Sequence, residues 1–137
     1  MTDAVVTLKK GEGRYLQKGG PWIYDNEIAD ISPGAEDGGL VRVCGENGLP
    51  LGQGFLNRRS KLTVRMLTRD PDAEINEDFF LMRLKNAWEY RKKVVDTSSC
   101  RLVFGEADFL PGLVVDKFSD VLVVESLALG IDRWREV

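Results

Sequence analysis

The stretch Arg101–Val124 constrains the fold of this 137-residue chain more than any other, because it sets short apolar runs around strong turn signals. Pro111 fixes the first central torsion of a turn, and Gly112 accepts the positive φ that a type II turn requires next. The runs Leu113–Phe118 and Val121–Val124 are rich in β-branched residues and lie two residues apart, which predicts a tight β-hairpin. Apolar residues occupy both alternating positions of these runs, so we expect burial on both faces.

The composition is typical of a globular protein, with 43% apolar residues and room for one medium-sized domain or two small ones. No apolar run approaches the ~20 residues that span a bilayer, and the N-terminus lacks the pattern of a secretory signal. We therefore expect a cytoplasmic protein with no membrane partner.

The chain contains no histidine and two cysteines, Cys44 and Cys100, which lie far apart in sequence. These counts exclude Ser-His-Asp and Cys-His catalysis, a His-ligated metal ion and a cysteine-only zinc site within the chain. We expect no metal site, and we interpret the cysteines as two small buried side chains in preference to a disulfide.

The overall charge of −3 conceals a basic segment. Residues 1–69 carry ten Lys and Arg against eight Asp and Glu, whereas the rest of the chain carries nine against fourteen. Because a local basic patch can exist within an acidic total, the charge is compatible with a nucleic-acid partner. Five cations fall within the twelve residues 58–69: Arg58, Arg59, Lys61, Arg65 and Arg69.

A polar, proline-containing junction at Asp70–Asp72 predicts two domains, at residues 1–69 and 70–137. The fold class predicted for the chain is mixed α/β (α+β). The first domain is expected to be a compact pseudo-barrel of short strands with one small helix. The second is expected to be a small α+β domain with a strand-helix-strand arrangement.

The first domain contains a predicted helix of about two turns over Glu12–Lys18, followed by two glycines that end it. Gly52 and Gly54 inside a predicted strand indicate a bulge or a close approach of two backbones. An Asn-Gly turn precedes that strand, and clean polar–apolar alternation marks the next one. The predicted strands are Ala4–Leu8, Trp22–Tyr24, Leu40–Cys44, Leu49–Asn57 and Lys61–Leu67.

The second domain begins with a helix over Glu77–Val94, for which Asn76 is the predicted N-cap. Acidic residues in its first turn and basic residues in its last turn suit the helix dipole. Leu129–Val137 has the character of a helix beginning without a stop signal, so we expect a truncated chain. The stripe predicted along the long helix consists of Phe80, Leu84, Trp88 and Arg91, with Leu81 and Ala87 beside them.

The segment Asn57–Lys61, at the turn between two predicted strands, is the leading candidate for phosphate contact. Arginine binds phosphate oxygens in a bidentate manner, and Lys, Asn and Ser add hydrogen-bond donors. The alternative is a solvated, charged hairpin tip. Arg14 and Lys18 are companion candidates on the same groove.

Trp22 and Tyr24 are candidates for stacking on an unpaired base, because RNA-binding proteins use aromatic faces in this way. Aromatic residues in a small barrel more often belong to the core. We favour the core for Trp22 and leave both interpretations open for Tyr24.

Three carboxylates, Glu106, Asp108 and Asp116, suit general acid–base chemistry or a hard metal ion. Hydrogen bonding to nearby backbone amides is the favoured explanation for acidic residues at a turn. A third interpretation places them at an interface with a catalytic domain that this chain lacks.

The glycine pairs Gly11–Gly13 and Gly52–Gly54 lack the third glycine of a dinucleotide or S-adenosylmethionine loop. Neither pair follows a strand and opens a long helix. The sequence therefore predicts no cofactor site in this chain.

The string GEADFLPGLVVDKF at residues 105–118 resembles the segment GEADGLPGLIVDRY of PUA-containing, S-adenosylmethionine-dependent ribosomal RNA methyltransferases, the RlmI-like family of cytosine-5 methyltransferases. Phe109 stands where that family tends to have glycine. Lys18–Tyr24 and the spaced pattern from Gly52 to Arg65 resemble the PUA domain, an RNA-binding pseudo-barrel. Gly20 stands where relatives commonly have histidine, so a polar contact at that point is lost or supplied elsewhere.

This resemblance implies an RNA-recognition fragment that itself catalyses nothing and lacks the Rossmann-like catalytic domain. The full-length relative would transfer a methyl group from S-adenosylmethionine to cytosine carbon 5 in ribosomal RNA. Expected partners are ribosomal RNA, the missing catalytic domain and a second copy of the chain in a homodimer. The RNA-binding residues would be Arg14, Lys18, Gly20, Trp22, Asn57, Arg58, Arg59 and Lys61.

Two rival functions belong to other classes. The first is a non-catalytic module for protein interaction or dimerisation, distinguished by whether the cations at the turn share an exposed face or are bound to carboxylates such as Glu46. The second is a small carboxylate enzyme that uses Glu106, Asp108 and Asp116.

Overall fold

A computed structural model describes residues 3–137, which form two compact units. The first unit ends at Ala73 and the second begins at Glu74. The segment after the last strand of the first unit stays with that unit, because the Gln53 side chain donates hydrogen bonds to the carbonyls of Asp70 (3.2 Å) and Ala73 (2.8 Å). Gln53 is 1% exposed, so this polar anchor lies inside the unit.

The first unit is a curled six-stranded sheet with the strand order β2-β6-β5-β4-β1-β3. The pairing of β1 with β4 is parallel, and the other pairings are antiparallel. This architecture confirms the predicted mixed α/β class and its half-barrel. The strands are β1 (Val5–Leu8), β2 (Trp22–Tyr24), β3 (Ile28–Ile31), β4 (Leu40–Cys44), β5 (Pro50–Leu56) and β6 (Leu62–Thr68).

Two short helical segments connect the first strands. Helix α1 spans Arg14–Gln17, and a 3-10 turn spans Asp25–Glu27. The prediction of two helical turns over Glu12–Lys18 is wrong, because glycines with left-handed backbone conformation bound the helix on both sides. Gly13 has φ 85° and Gly19 has φ 100°.

The core of the first unit is aliphatic and closely packed. Gly52 and Gly54 confirm the expected close approach of two backbones: a Cβ on Gly54 would lie 2.5 Å from the Arg65 carbonyl oxygen. The clean alternation predicted for β6 is wrong, because neighbouring residues are buried in pairs on this curled sheet. Residues that are no more than 1% exposed include Val6, Leu8, Ile23, Val41, Val43, Leu56 and Val64.

The second unit packs helix α2 (Glu77–Val94) with a three-stranded antiparallel sheet, in the strand order β7-β8-β9. The Asn76 side chain caps α2 as predicted and accepts a hydrogen bond from the Phe79 N–H (3.0 Å). The helix precedes all three strands, so the predicted strand-helix-strand order is wrong. The remaining elements are β7 (Ser99–Phe104), β8 (Leu113–Phe118), β9 (Val121–Ser126) and α3 (Leu129–Arg133).

The Pro111–Gly112 turn is confirmed. Gly112 has φ 82°, and the Leu113 N–H donates to the Leu110 carbonyl (3.1 Å). Helix α3 has five residues and ends at Arg133, so the predicted helix over Leu129–Val137 is too long.

Strand β9 departs most from expectation, because all six of its residues are exposed. The expected burial on both faces is wrong there, since β9 is an edge strand of a small sheet, whereas Val114 and Val115 of β8 are buried. The apolar stripe of α2 is also rotated: Phe79 is buried and Leu81 is 48% exposed. Within residues 3–137, no helix combines the length and apolar character needed to cross a membrane.

Candidate nucleic-acid interface

The cations of the basic segment 58–69 do not form one patch, and Arg58 is bound to a loop of the first unit. Its Nε lies 3.1 Å from Oδ1 of Asp37, and its Nη2 donates to the Ala35 carbonyl (3.0 Å). The Arg58 N–H donates to the same Asp37 oxygen (2.9 Å). That backbone hydrogen bond and the charge of Arg58 hold the pKa of Asp37 below its usual value of 3.8. Arg58 therefore anchors the loop that contains Asp37.

Other predicted members of the cluster also have structural roles. The Arg69 guanidinium donates to the Leu16 carbonyl and so holds α1 to the end of β6. Asn57 is partly buried, and its Oδ1 accepts from the Arg59 N–H (3.1 Å), which fixes the turn between β5 and β6. Arg59 and Lys61 are exposed on this turn, and neither side chain forms an ion pair within residues 3–137.

Helix α1 presents Arg14, Tyr15 and Lys18 to solvent. Gly20 is buried, and a Cβ at this position would collide with the Tyr15 ring. The space that a side chain at position 20 would occupy is thus filled by Tyr15, which is 48% exposed. Tyr15 was not among the predicted site residues. The only signal for it in the sequence was Gly20, which stands where relatives commonly have histidine.

The two aromatic candidates on β2 have different environments. Trp22 is partly buried, and its Nε1 is buried without a hydrogen-bond partner within the described residues. Trp22 is thus neither a fully buried core residue nor a fully exposed one. Tyr24 is 40% exposed at the end of the strand and is available for stacking.

Tyr15, Tyr24 and Lys61 line one open cleft of about 600 Å³. The cleft lies where α1, the end of β2 and the start of β6 meet, and the Asp25 N–H donates to the Lys61 carbonyl (2.8 Å). Arg14, Lys18, Arg58 and Arg59 are not among the lining residues. The remaining walls are polar: Glu12, Asp25, Asn26 and Glu27.

The cleft offers two aromatic faces and one lysine, together with three carboxylates and one amide. Aromatic faces stack on unpaired bases, and a lysine beside them neutralises phosphate. The carboxylates and the Asn26 amide supply hydrogen-bonding groups for a base edge or a 2′-hydroxyl. Glu27 is partly engaged already, because its Oε2 accepts from the Tyr24 N–H (2.8 Å).

Two of the three predicted carboxylates, Asp108 and Asp116, are held by different arginines. Asp108 forms a bidentate pair with Arg91 (2.9 and 2.7 Å), and Asp116 forms one with Arg101 (2.8 and 3.2 Å). The hydrogen bonds from Arg101 lower the pKa of Asp116. Asp108 also accepts from the Phe104 N–H (2.7 Å), as the backbone interpretation requires. Glu106 is partly buried.

The glycine pairs do not form a cradle for S-adenosylmethionine. Gly52 and Gly54 lie inside β5, against the backbone of β6. Gly11 and Gly13 lie in a turn before a helix of four residues. These positions do not fit a cofactor loop that opens a long helix.

Comparisons with known proteins identify what the chain is similar to. Residues 6–69 match the family model of the PUA-like domain. The chain is 34% identical to ribosomal RNA large subunit methyltransferase I from Shewanella frigidimarina, over 96% of this chain and 34% of that protein. The Alteromonas mediterranea protein of the same name is also 34% identical, over 97% of this chain. The chain spans about a third of the length of these relatives.

Solved structures share the fold at low identity. A Streptococcus mutans protein assigned as a SAM-dependent methyltransferase superimposes with a TM-score of 0.80 at 15% identity, over 96% of this chain and 35% of that one. An assigned methyltransferase in complex with SAH gives a TM-score of 0.78 at 16% identity, over 96% of this chain and 34% of that one.

Proposed function

We propose, from the premise that residues 6–69 of this chain form a PUA-like domain, that the chain is the RNA-recognition portion of a ribosomal RNA methyltransferase. The chain is homologous along 96% of its length to ribosomal RNA large subunit methyltransferase I. The longer protein would transfer a methyl group from S-adenosylmethionine to cytosine carbon 5. This chain would contribute RNA binding and no catalytic group.

The observation that carries the proposal is the cleft formed by Tyr15, Tyr24 and Lys61. Two half-exposed rings from different elements and a lysine without an ion pair within the described residues converge there. Exposed aromatic rings beside a cation are groups that proteins use to stack on unpaired bases and to contact the backbone of single-stranded RNA.

The predicted RNA-binding residues divide by role in this proposal. Arg59 and Lys61, with Arg14 and Lys18 on α1, contact phosphates. Tyr15 and Tyr24 stack on bases. The remaining predicted residues hold these groups in place: Gly20 beneath Tyr15, Trp22 within β2, and Asn57 and Arg58 at the turn.

A second candidate function is favoured by the exposed β9 strand. An apolar edge strand without charge or proline in its first four residues is a template for another polypeptide. In this alternative the second unit binds protein, either the catalytic portion of the longer relatives or a second copy of this chain.

Binding of a fluorescent ribosomal RNA fragment across a salt series tests the proposed function. We expect affinity to fall with salt, and the Arg59→Ala/Lys61→Ala variant to have a slope shallower by roughly one to two counterions. Lys93→Ala/Arg135→Ala, which removes two exposed cations of the second unit, is the matched control and should keep the wild-type slope. Absent binding, or equal slopes for all three proteins, would reject the proposal.

A further inference from the structure

In the loop that follows β7, Phe109 has both an unfavourable backbone conformation and an exposed apolar side chain. Its backbone is left-handed, with φ 60° and ψ 28°, a conformation that residues with a side chain seldom adopt. Its ring is 69% exposed, so no burial offsets the strain. Within residues 3–137 the other non-glycine residue with positive φ is Ser119, a small polar residue at a hairpin turn.

This loop is nevertheless firmly held. The Arg91–Asp108 side chains are only 12% and 9% exposed, and Asp108 also accepts a hydrogen bond from the Phe104 N–H. The Arg91 Nε donates to the Arg101 carbonyl (2.9 Å). A strained residue persists only where its surroundings fix it, and such residues cluster at ligand sites.

Arg83 supports Phe109 directly. Its guanidinium donates to the Phe109 carbonyl, and its Cζ lies 5.6 Å from the centroid of the Phe109 ring. The same Cζ lies 4.4 Å from the Phe79 ring. The exposed ring is therefore presented by a fixed backbone.

Phe109 and Tyr90 line a common cleft of about 380 Å³. Tyr90 is 57% exposed, and the Arg91 Cζ lies 5.3 Å from its ring centroid. Asn86 contributes an exposed amide, which can donate and accept hydrogen bonds with a base edge. Two exposed rings beside one amide are the chemistry by which proteins recognise an unpaired nucleobase.

We propose that the Phe109–Tyr90 cleft is a second RNA contact that binds one unpaired nucleobase by stacking, with Asn86 contacting the base edge. This inference rests on the proposed function. Arg91 is neutralised by Asp108 in the cleft wall, so binding here depends on stacking and little on salt.

Phe109→Gly separates a binding role from a structural one. Glycine adopts a left-handed conformation without strain, so the variant should be at least as stable thermally as the wild type. It should bind a short unstructured oligoribonucleotide roughly tenfold more weakly, with an unchanged salt slope. Phe109→Asn, which also tolerates positive φ, is a second variant with the same expected result. Phe118→Ala, which removes another exposed phenylalanine outside the cleft, is the matched control.

Chemical-shift mapping with the same oligoribonucleotide locates the contact. The Asn86 side-chain amide and the Phe109 N–H should shift together with residues of the first unit. Shifts confined to the first unit, with wild-type affinity for Phe109→Gly, would overturn this inference, assign the exposed ring to a protein contact and leave the proposed function standing. Shifts in neither unit would overturn both.

Discussion

The two units treat apolar surface in opposite ways. In the first unit, six strands curl around a core in which Ile23, Val41 and Val64 are fully buried. In the second unit, the equally apolar strand β9 is exposed along its whole length, and Leu122 retains 56% of its accessible surface. The difference lies in sheet size: six curled strands cover one another, whereas three strands with α2 and the short α3 leave β9 uncovered.

The charged residues show a parallel contrast. The first unit keeps Lys61 and Arg59 outside ion pairs within the described residues and places Lys61 beside two exposed rings. The second unit uses Arg91 and Arg101 in bidentate pairs with carboxylates. Arg58 and Arg69 also hold the backbone in the first unit, so the contrast lies in the turn between β5 and β6, where Arg59 and Lys61 stay outside ion pairs within the described residues.

The largest expected effect comes from truncating matched leucines in the two units. Leu56→Ala should destabilise the first unit by about 4 kcal/mol, because Leu56 is 1% exposed and its removal leaves a cavity. Leu122→Ala should cost under about 1 kcal/mol, since the side chain is already half in water. Native-state hydrogen exchange measures each unit separately. Equal losses would show that β9 is covered in solution.

A smaller effect distinguishes the two ion pairs of the second unit. Asp108→Ala should destabilise this unit by about 3 kcal/mol, because it leaves the nearly buried Arg91 without its ion-pair partner. Asp116→Ala should cost much less, since its partner Arg101 is 51% exposed and water screens the pair. Urea unfolding of both variants provides the comparison. A similar cost for the two substitutions would contradict the assignment of Asp108 as the anchor of the loop.

The smallest effect is the dependence of stability on acid. Hydrogen bonds from Arg58, Ser98 and Arg101 lower the pKa values of Asp37, Asp96 and Asp116, respectively, below the usual 3.8. These carboxylates stabilise the fold fully above that value, and the contribution is lost as pH falls through the lowered pKa values. Because two of the three lie in the second unit, that unit should lose more stability below about pH 4. Hydrogen exchange at several pH values tests this, and Asp116→Asn should flatten the second unit's profile.

Local signals in the sequence predicted local structure well. The Asn76 cap and the charged residues at the two ends of the helix located α2, and Pro111–Gly112 located the turn before β8. The family resemblance, confirmed by homology over nearly the whole chain, supplied the PUA-like half-barrel, which periodicity alone did not identify.

Long-range partners could not be predicted. Arg58 is bound by Asp37, twenty-one residues earlier, so the sequence of the turn could not show that this arginine is already engaged. The exposure of β9 depends on how many strands flank it. The apolar character of a strand predicts that its side chains will be buried but does not show which element packs against them.

The collision between Tyr15 and any side chain at position 20 has an evolutionary consequence. The backbone at Gly20 is not left-handed, so substitution there is blocked by the neighbouring ring and not by the chain's own geometry. A large side chain at position 15 is therefore incompatible with any side chain at position 20. Across relatives they should covary, with a large residue at one position accompanied by a small one at the other, and a lineage should exchange them through an intermediate with small residues at both.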